Sequence, residues 1–146
     1  MKRLILLPLA LCAVGFLASA QDLRTVERKA STTKMDFEHI IAGHLKELNG
    51  KYKIRVSENT YGPGGYIGNH QHVGPGVRYI VSGELTYMES DSTRIYRPGE
   101  YFFEPGDITH KAFNRGDVPV VILNFDLLPA DWNGPTAVTP DYLMKK

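Results

Sequence analysis

Glycine and proline punctuate the middle of this chain at intervals too short for ordinary helices. Turn signals fall at Tyr61-Gly62-Pro63-Gly64-Gly65, Ser82-Gly83, Pro98-Gly99, Pro105-Gly106-Asp107 and Asn114-Arg115-Gly116-Asp117. Between them lie brief apolar or alternating runs: Tyr79-Ile80-Val81, Leu85-Thr86-Tyr87-Met88, Arg94-Ile95-Tyr96, Tyr101-Phe102-Phe103 and Lys111-Ala112-Phe113. Val118 to Leu128 is the last long apolar run. Upstream, Tyr52, Ile54 and Val56 alternate with Lys51, Lys53 and Arg55, the period of two of a half-buried strand. Short strands separated by such turns predict an all-β sandwich or barrel.

The ends read differently. Met1-Lys2-Arg3 precedes an apolar run from Leu4 to Leu17, and Ala18-Ser19-Ala20 follows as a small-x-small cleavage site. This layout predicts a secretory signal peptide over residues 1–20. The run is short for a membrane helix, which needs about 20 apolar residues; an uncleaved anchor is the competing reading. Lys2-Arg3 is not a twin-arginine pair, so export of the unfolded chain is expected, to a periplasm or the medium.

Residues 21–36 are polar and mixed and read as an N-terminal arm, 37–128 as the barrel domain and 129–146 as an irregular C-terminal tail packed on it. Phe37 to Leu48 fits a strand or a short helix, with Gly43 against the helix; Asn49-Gly50 is a hairpin signal. The mature chain is one domain's worth of sequence and can bury a core unaided.

The single cysteine, Cys12, lies in the leader, so the mature chain has no disulfide and no thiolate ligand. Loss of Lys2 and Arg3 takes 17 basic residues to 15 against 16 acidic, a net charge of −1. With no basic stripe, nucleic acid is not an expected partner. No membrane segment is read after residue 20.

Five histidines are present, and three of them carry the chemistry. His70 and His72 are i and i+2 on a strand and point to one face. Two inward imidazoles need partners, and a metal ion is one. His110 follows the Pro105-Gly106-Asp107 turn. His39 and His44 stand at no ligand spacing and read as surface or edge residues.

The spacing around these residues resembles the cupin superfamily. Gly64, His70, His72, Gly76 and Gly83 follow the first cupin motif, Gly-x5-His-x-His-x3,4-Glu-x6-Gly, with Gly76 where the glutamate would stand. Gly99, Pro105, His110 and Asn114 follow the second, Gly-x5-Pro-x-Gly-x2-His-x3-Asn, with Asp107 in place of its internal glycine. The resemblance implies a single-domain jelly-roll β-barrel with a metal site in its mouth. Carried over residue by residue, the ligands are His70, His72 and His110. It also implies a homodimer, as cupins often are.

The missing glutamate matters. Three neutral imidazoles leave the charge of a divalent ion uncompensated, which disfavours manganese and suits zinc, iron, copper or nickel. Glu100 or Glu104 could supply the absent carboxylate from a neighbouring strand. Counting by twos from Gly76, Arg78 and Ile80 face inward. Arg78 then either receives an anionic substrate group or pairs with Glu84, Glu100 or Glu104. The expected function is a small exported cupin binding a divalent metal. It would act on a small anionic or oxygenated substrate with dioxygenase-like or other cupin chemistry. The alternatives are a small-molecule binding module without metal and an interaction protein. The fold alone does not choose between them.

Overall fold

The computed structural model describes residues 26–143; the signal-peptide segment and Cys12 lie outside them. Nine strands and one short helix follow one another: β1 (Arg28–Ile40), β2 (Tyr52–His72), β3 (Gly76–Ser82), β4 (Leu85–Met88), β5 (Thr93–Tyr96), β6 (Tyr101–Glu104), β7 (His110–Asn114), β8 (Val120–Pro129), β9 (Ala137–Val138) and α1 (Pro140–Leu143). The strands run in the order β5-β4-β7-β2-β8-β3-β6, with β1 and β9 added against β2. Every pairing is antiparallel, and the sheet curls into a nearly closed jelly-roll barrel. Among the described residues no helix is long and apolar enough to cross a membrane.

β2 holds the barrel together. Its first half, Tyr52 to Tyr61, pairs with β8, and its second half, Tyr66 to His70, pairs with β7. Gly62-Pro63-Gly64-Gly65 lies between them. The sequence predicts a turn there; the strand instead bends through the segment and changes partners, the corner of a barrel. Gly64 sits at φ 68°, a conformation that glycine adopts freely. A side chain on Gly65 would meet two backbone oxygens, Ala30 O and Gly62 O, each at 2.7 Å. Asn114 ties the corner down: its Nδ2 donates to Tyr61 O (2.9 Å) and Val118 O (2.7 Å), and its Oδ1 accepts from Gly116 N (2.9 Å).

Three elements depart from expectation. The predicted arm already becomes strand at Arg28, and β1 runs through Ile40 along β2. The Phe37–Leu48 ambiguity resolves into the end of that strand followed by turns, with Gly50 at φ 69° donating its N–H to Ile41 O (3.0 Å). The tail contributes β9, which pairs Gln71 with Val138 and His72 with Ala137. The alternation in β2 is real, but its inward side is the polar one. Lys53 (2% exposed), Arg55 and Ser57 are buried, while Tyr52 is exposed and Ile54 and Val56 are half-buried. Glu38 of β1 compensates the buried cations, bonding Lys53 Nζ at 2.6 Å and Arg55 Nε at 2.7 Å.

Ile67, Ile80, Leu85, Val120 and Ile122 form the apolar interior, with Tyr96 and Phe102 packed against it. Ile80 is fully buried, which is worth about 1.5–3 kcal/mol by area. The corner generates a prediction. Gly65→Ala should cost about 1–3 kcal/mol in urea unfolding, because backbone must move to admit the methyl group. Gly64→Asn, in open space at a φ that asparagine tolerates, should cost less than about 1 kcal/mol. Equal costs at the two positions would contradict this account of the corner.

Candidate metal centre

β2 and β7 bring the histidines together by register. His70 and His110 are direct cross-strand partners, and His72 is two residues along the same face of β2. Ring centroids are 4.1 Å apart for His70 and His110, 5.0 Å for His70 and His72, and 5.3 Å for His72 and His110. One ring nitrogen from each lies within 4.8 Å of the others, so the three buried side chains could hold a metal ion. The loop before β7 is pinned to β2: Gln71 Nε2 donates to Asp107 O (2.9 Å) and Thr109 Oγ1 (3.1 Å), and His72 N donates to Gly106 O (2.8 Å). Tyr87 stacks on His110 at 4.7 Å. His39 and His44 are exposed, as expected.

Backbone carbonyls fix two of the tautomers. His70 Nδ1 lies 2.8 Å from Gly68 O and His110 Nδ1 lies 3.0 Å from Ile108 O. A carbonyl only accepts, so each Nδ1 must donate, which turns Nε2 of each ring toward the cluster. A metal-binding histidine is ordinarily oriented in this way. The donor set therefore fits a divalent ion of the imidazole-preferring kind.

A carboxylate borders the three-histidine cluster. Gly76 of β3 and Glu104 of β6 are cross-strand partners. Glu104, 4% exposed, places Oε1 3.0 Å from His110 Nε2 and Oε2 3.1 Å from His72 Nε2. Arg78 faces inward as expected and is 2% exposed. Its Nε donates to Glu104 Oε2 at 2.5 Å and its Nη1 lies 2.7 Å from Asp126 Oδ1. Of the three glutamates weighed for Arg78, Glu104 is the partner; Glu84 bonds Arg97 Nε and Glu100 accepts from Arg97 N, both outside the cluster. Arg78 is thus engaged by two carboxylates, with Nη2 left without a hydrogen-bond partner. Asp126 carried no sequence signal: it is one charged residue inside an apolar run, and only the register of β8 with Gly76 places it here.

Electrostatics follow from this packing. Burial lowers His70 well below its ordinary value, and the nearby His110 and His72 lower it further. Burial also lowers His72, more than Glu104 raises it. Burial pushes Glu104 up, but Arg78, His72 and the histidine hydrogen bonds more than offset this and hold it well below the usual carboxylate range. Burial raises Tyr61 to about 12 and raises Tyr87 further.

These groups open into a cavity of about 420 Å³. Its wall carries the histidines, Arg78 and Glu104 together with the apolar Ile67, Leu85 and Ile122. Arg28, Ser31, Thr33 and Met35 of β1 add a further side. The volume is in the range of a small-molecule pocket.

Fold and site together define a class: a small antiparallel barrel enclosing a histidine cluster able to hold a metal. Residues 57–126 match the family described as a cupin domain. These residues of the chain form a cupin domain. Solved structures agree at the level of the fold. A cupin domain from Bordetella pertussis is 19% identical, with 70% of this chain and 98% of that one covered and a TM-score of 0.51. The polyketide cyclase RemF from Streptomyces resistomycificus is 18% identical, with 84% of each chain covered and a TM-score of 0.57. A recombinant oxalate oxidase in complex with glycolate is 19% identical, with 75% of this chain and 55% of that one covered and a TM-score of 0.54. No curated protein matches the sequence.

The lowered histidines predict a pH dependence. The unfolded chain protonates both rings near 6.5 and the folded chain only at lower pH. The unfolded state therefore takes up protons first as pH falls, so stability is lost below about pH 6.5 until the folded rings titrate. Glu104 acts in the same direction lower down, its contribution being lost as pH falls below 4.5 toward its depressed folded value. Calorimetry of the metal-free protein should show a melting temperature several degrees lower at about pH 5 than at about pH 7.5. The slope should flatten in a His70→Gln/His72→Gln variant. A flat profile in the wild type would contradict the buried neutral rings.

Proposed function

We propose that this protein is an exported cupin that binds a divalent transition metal (zinc, iron, copper or nickel) through His70, His72 and His110 and acts on a small anionic or oxygenated molecule. The observation that carries the reading is the convergence of three buried imidazoles, two with Nε2 turned inward by a backbone hydrogen bond on Nδ1. When bound, such a metal would act as a Lewis acid toward an oxygen of the substrate. The chain's own part is to hold and orient that molecule. Apolar walls at Ile67, Leu85 and Ile122 would exclude water from its body. Arg78, on the cavity wall, supplies the positive charge toward which an anionic oxygen would be drawn. The oxalate oxidase and the cyclase among the similar structures are enzymes by name, which supports a catalytic reading without choosing the reaction.

Elemental analysis tests this on protein purified from its own export compartment without chelator. The wild type should carry near-stoichiometric metal, and a His70→Ala/His72→Ala variant should carry none. No metal in either, with no uptake on titration, would sink the reading. In the enzyme, His72→Ala should abolish turnover while leaving the fold intact.

The proposal extends to a homodimer. What supports it is an apolar row across the outer face of five neighbouring strands. Phe37, Val56, Phe125, Val77 and Phe103 are successive cross-strand partners, and all but Val56 are at least 40% exposed. Opposed copies of such a face would bury it. Val77→Glu/Phe103→Glu should convert a dimer to a monomer in analytical ultracentrifugation with metal content unchanged. A wild type that sediments as a monomer would contradict the dimer.

A further inference from the structure

We infer that Glu104 is the fourth protein ligand of this site, replacing across the sheet the carboxylate that Gly76 cannot provide. The inference rests on the metal-binding reading and deepens it.

The starting point is how three ring nitrogens and one carboxylate are aimed. His110 Nδ1 donates to Ile108 O, so its Nε2 turns to Glu104 Oε1 at 3.0 Å. His72 Nε2 lies 3.1 Å from Oε2 of the same carboxylate, and the His70 ligand nitrogen is within 4.8 Å of those of His72 and His110. Without metal, a proton on each nitrogen holds these two contacts; a metal ion would replace both protons and be met by the same nitrogens and oxygen. Neighbouring ligand atoms on an ion with bonds of about 2.1 Å lie about 3–3.5 Å apart, close to the two carboxylate–imidazole distances.

Charge is compatible with the same assignment. Glu104 and Asp126 are both buried against Arg78, so this cluster carries a local formal charge of −1, favourable to a cation.

Packing explains why the carboxylate comes from β6. A Cβ on Gly76 would collide with Arg78 Nη1, and would lie 2.7 Å from Asp126 Oδ1 and 2.9 Å from Phe125 O. The space beside Gly76 is filled by the guanidinium, so a side chain at position 76 would have to displace Arg78 and press on the Phe125 carbonyl to reach the histidines. The same guanidinium grips Oε2 of Glu104, the cross-strand neighbour of Gly76, and leaves Oε1 directed at His110. Arg78 is in this scheme a positioning residue, and Asp126 holds Arg78.

The test compares wild type with Glu104→Gln, which keeps the shape and an oxygen for Arg78. Cobalt(II) affinity is measured by chelator competition, copper(II) coordination by electron paramagnetic resonance, and metal-free melting by calorimetry. Loss of an outer hydrogen-bonding partner typically weakens a metal site by about 10–100-fold; loss of a ligand should exceed about 100-fold here. The copper spectrum should shift on removal of an oxygen donor. Equal affinity and an unchanged spectrum in Glu104→Gln would overturn the inference and leave a three-histidine site. A wild type that takes up neither metal would overturn the metal reading, and this inference with it. If Glu104→Gln does not fold, the infrared difference spectrum of the wild type, metal-free against zinc-loaded, decides. A perturbed carboxylate stretch supports the assignment, and its absence overturns it.

Discussion

The Arg78 guanidinium sets the arrangement of the barrel's polar centre. It fills the space beside Gly76, bonds Glu104 on one side, lies against Asp126 on the other, and is almost wholly buried. A buried cation survives only if carboxylates compensate it, and two do. The consequence runs outward. Position 76 is confined to glycine by the atoms around it, Glu104 is held with one oxygen toward the histidines, and Asp126 is fixed within β8. Removing either carboxylate would leave a charge stranded, the costliest kind of core substitution.

This centre exists because β2 bends without breaking. Its first half belongs to the β1-β2-β8-β3-β6 side of the barrel and its second half to the β7-β4-β5 side. The bend carries His70 and His72 to the strand that bears His110, and the fold delivers Glu104 and Asp126 from the opposite side. The ligand cluster therefore spans both sides of the barrel and depends on the corner at Gly62–Gly65. The exposed apolar row on the outer face is the counterpart of a polar interior: with Lys53, Arg55, Ser57 and Arg78 turned inward, apolar side chains of the same strands turn out.

Much of this was legible in the sequence. Turn signals at Gly83, Gly99 and Gly106 mark true turns, each with positive φ. Counting by twos placed Gly76, Arg78 and Ile80 on one face, and all three are buried. The spacing of His70, His72 and His110 brought them together. What was not legible is non-local. β1 is polar and exposed along most of its length, so it lacks the one-sided burial that gives a strand its alternating pattern; its identity comes from pairing with β2. The inward face of β2 reads backwards because its lysine and arginine find Glu38 on another strand. Glu104 stood among several glutamates with equal claim, and only the register of β3 with β6 singles it out. Asp126 was invisible for the same reason.

The most direct test of the centre is an anomalous-scattering map from crystals of the zinc-loaded protein, recorded at the metal edge. The account predicts one interior peak at about 2.0–2.2 Å from nitrogens of His70, His72 and His110 and from Glu104 Oε1, with Oε2 still bonded to Arg78. Absence of the peak, or a peak with Glu104 turned wholly to Arg78, would contradict it.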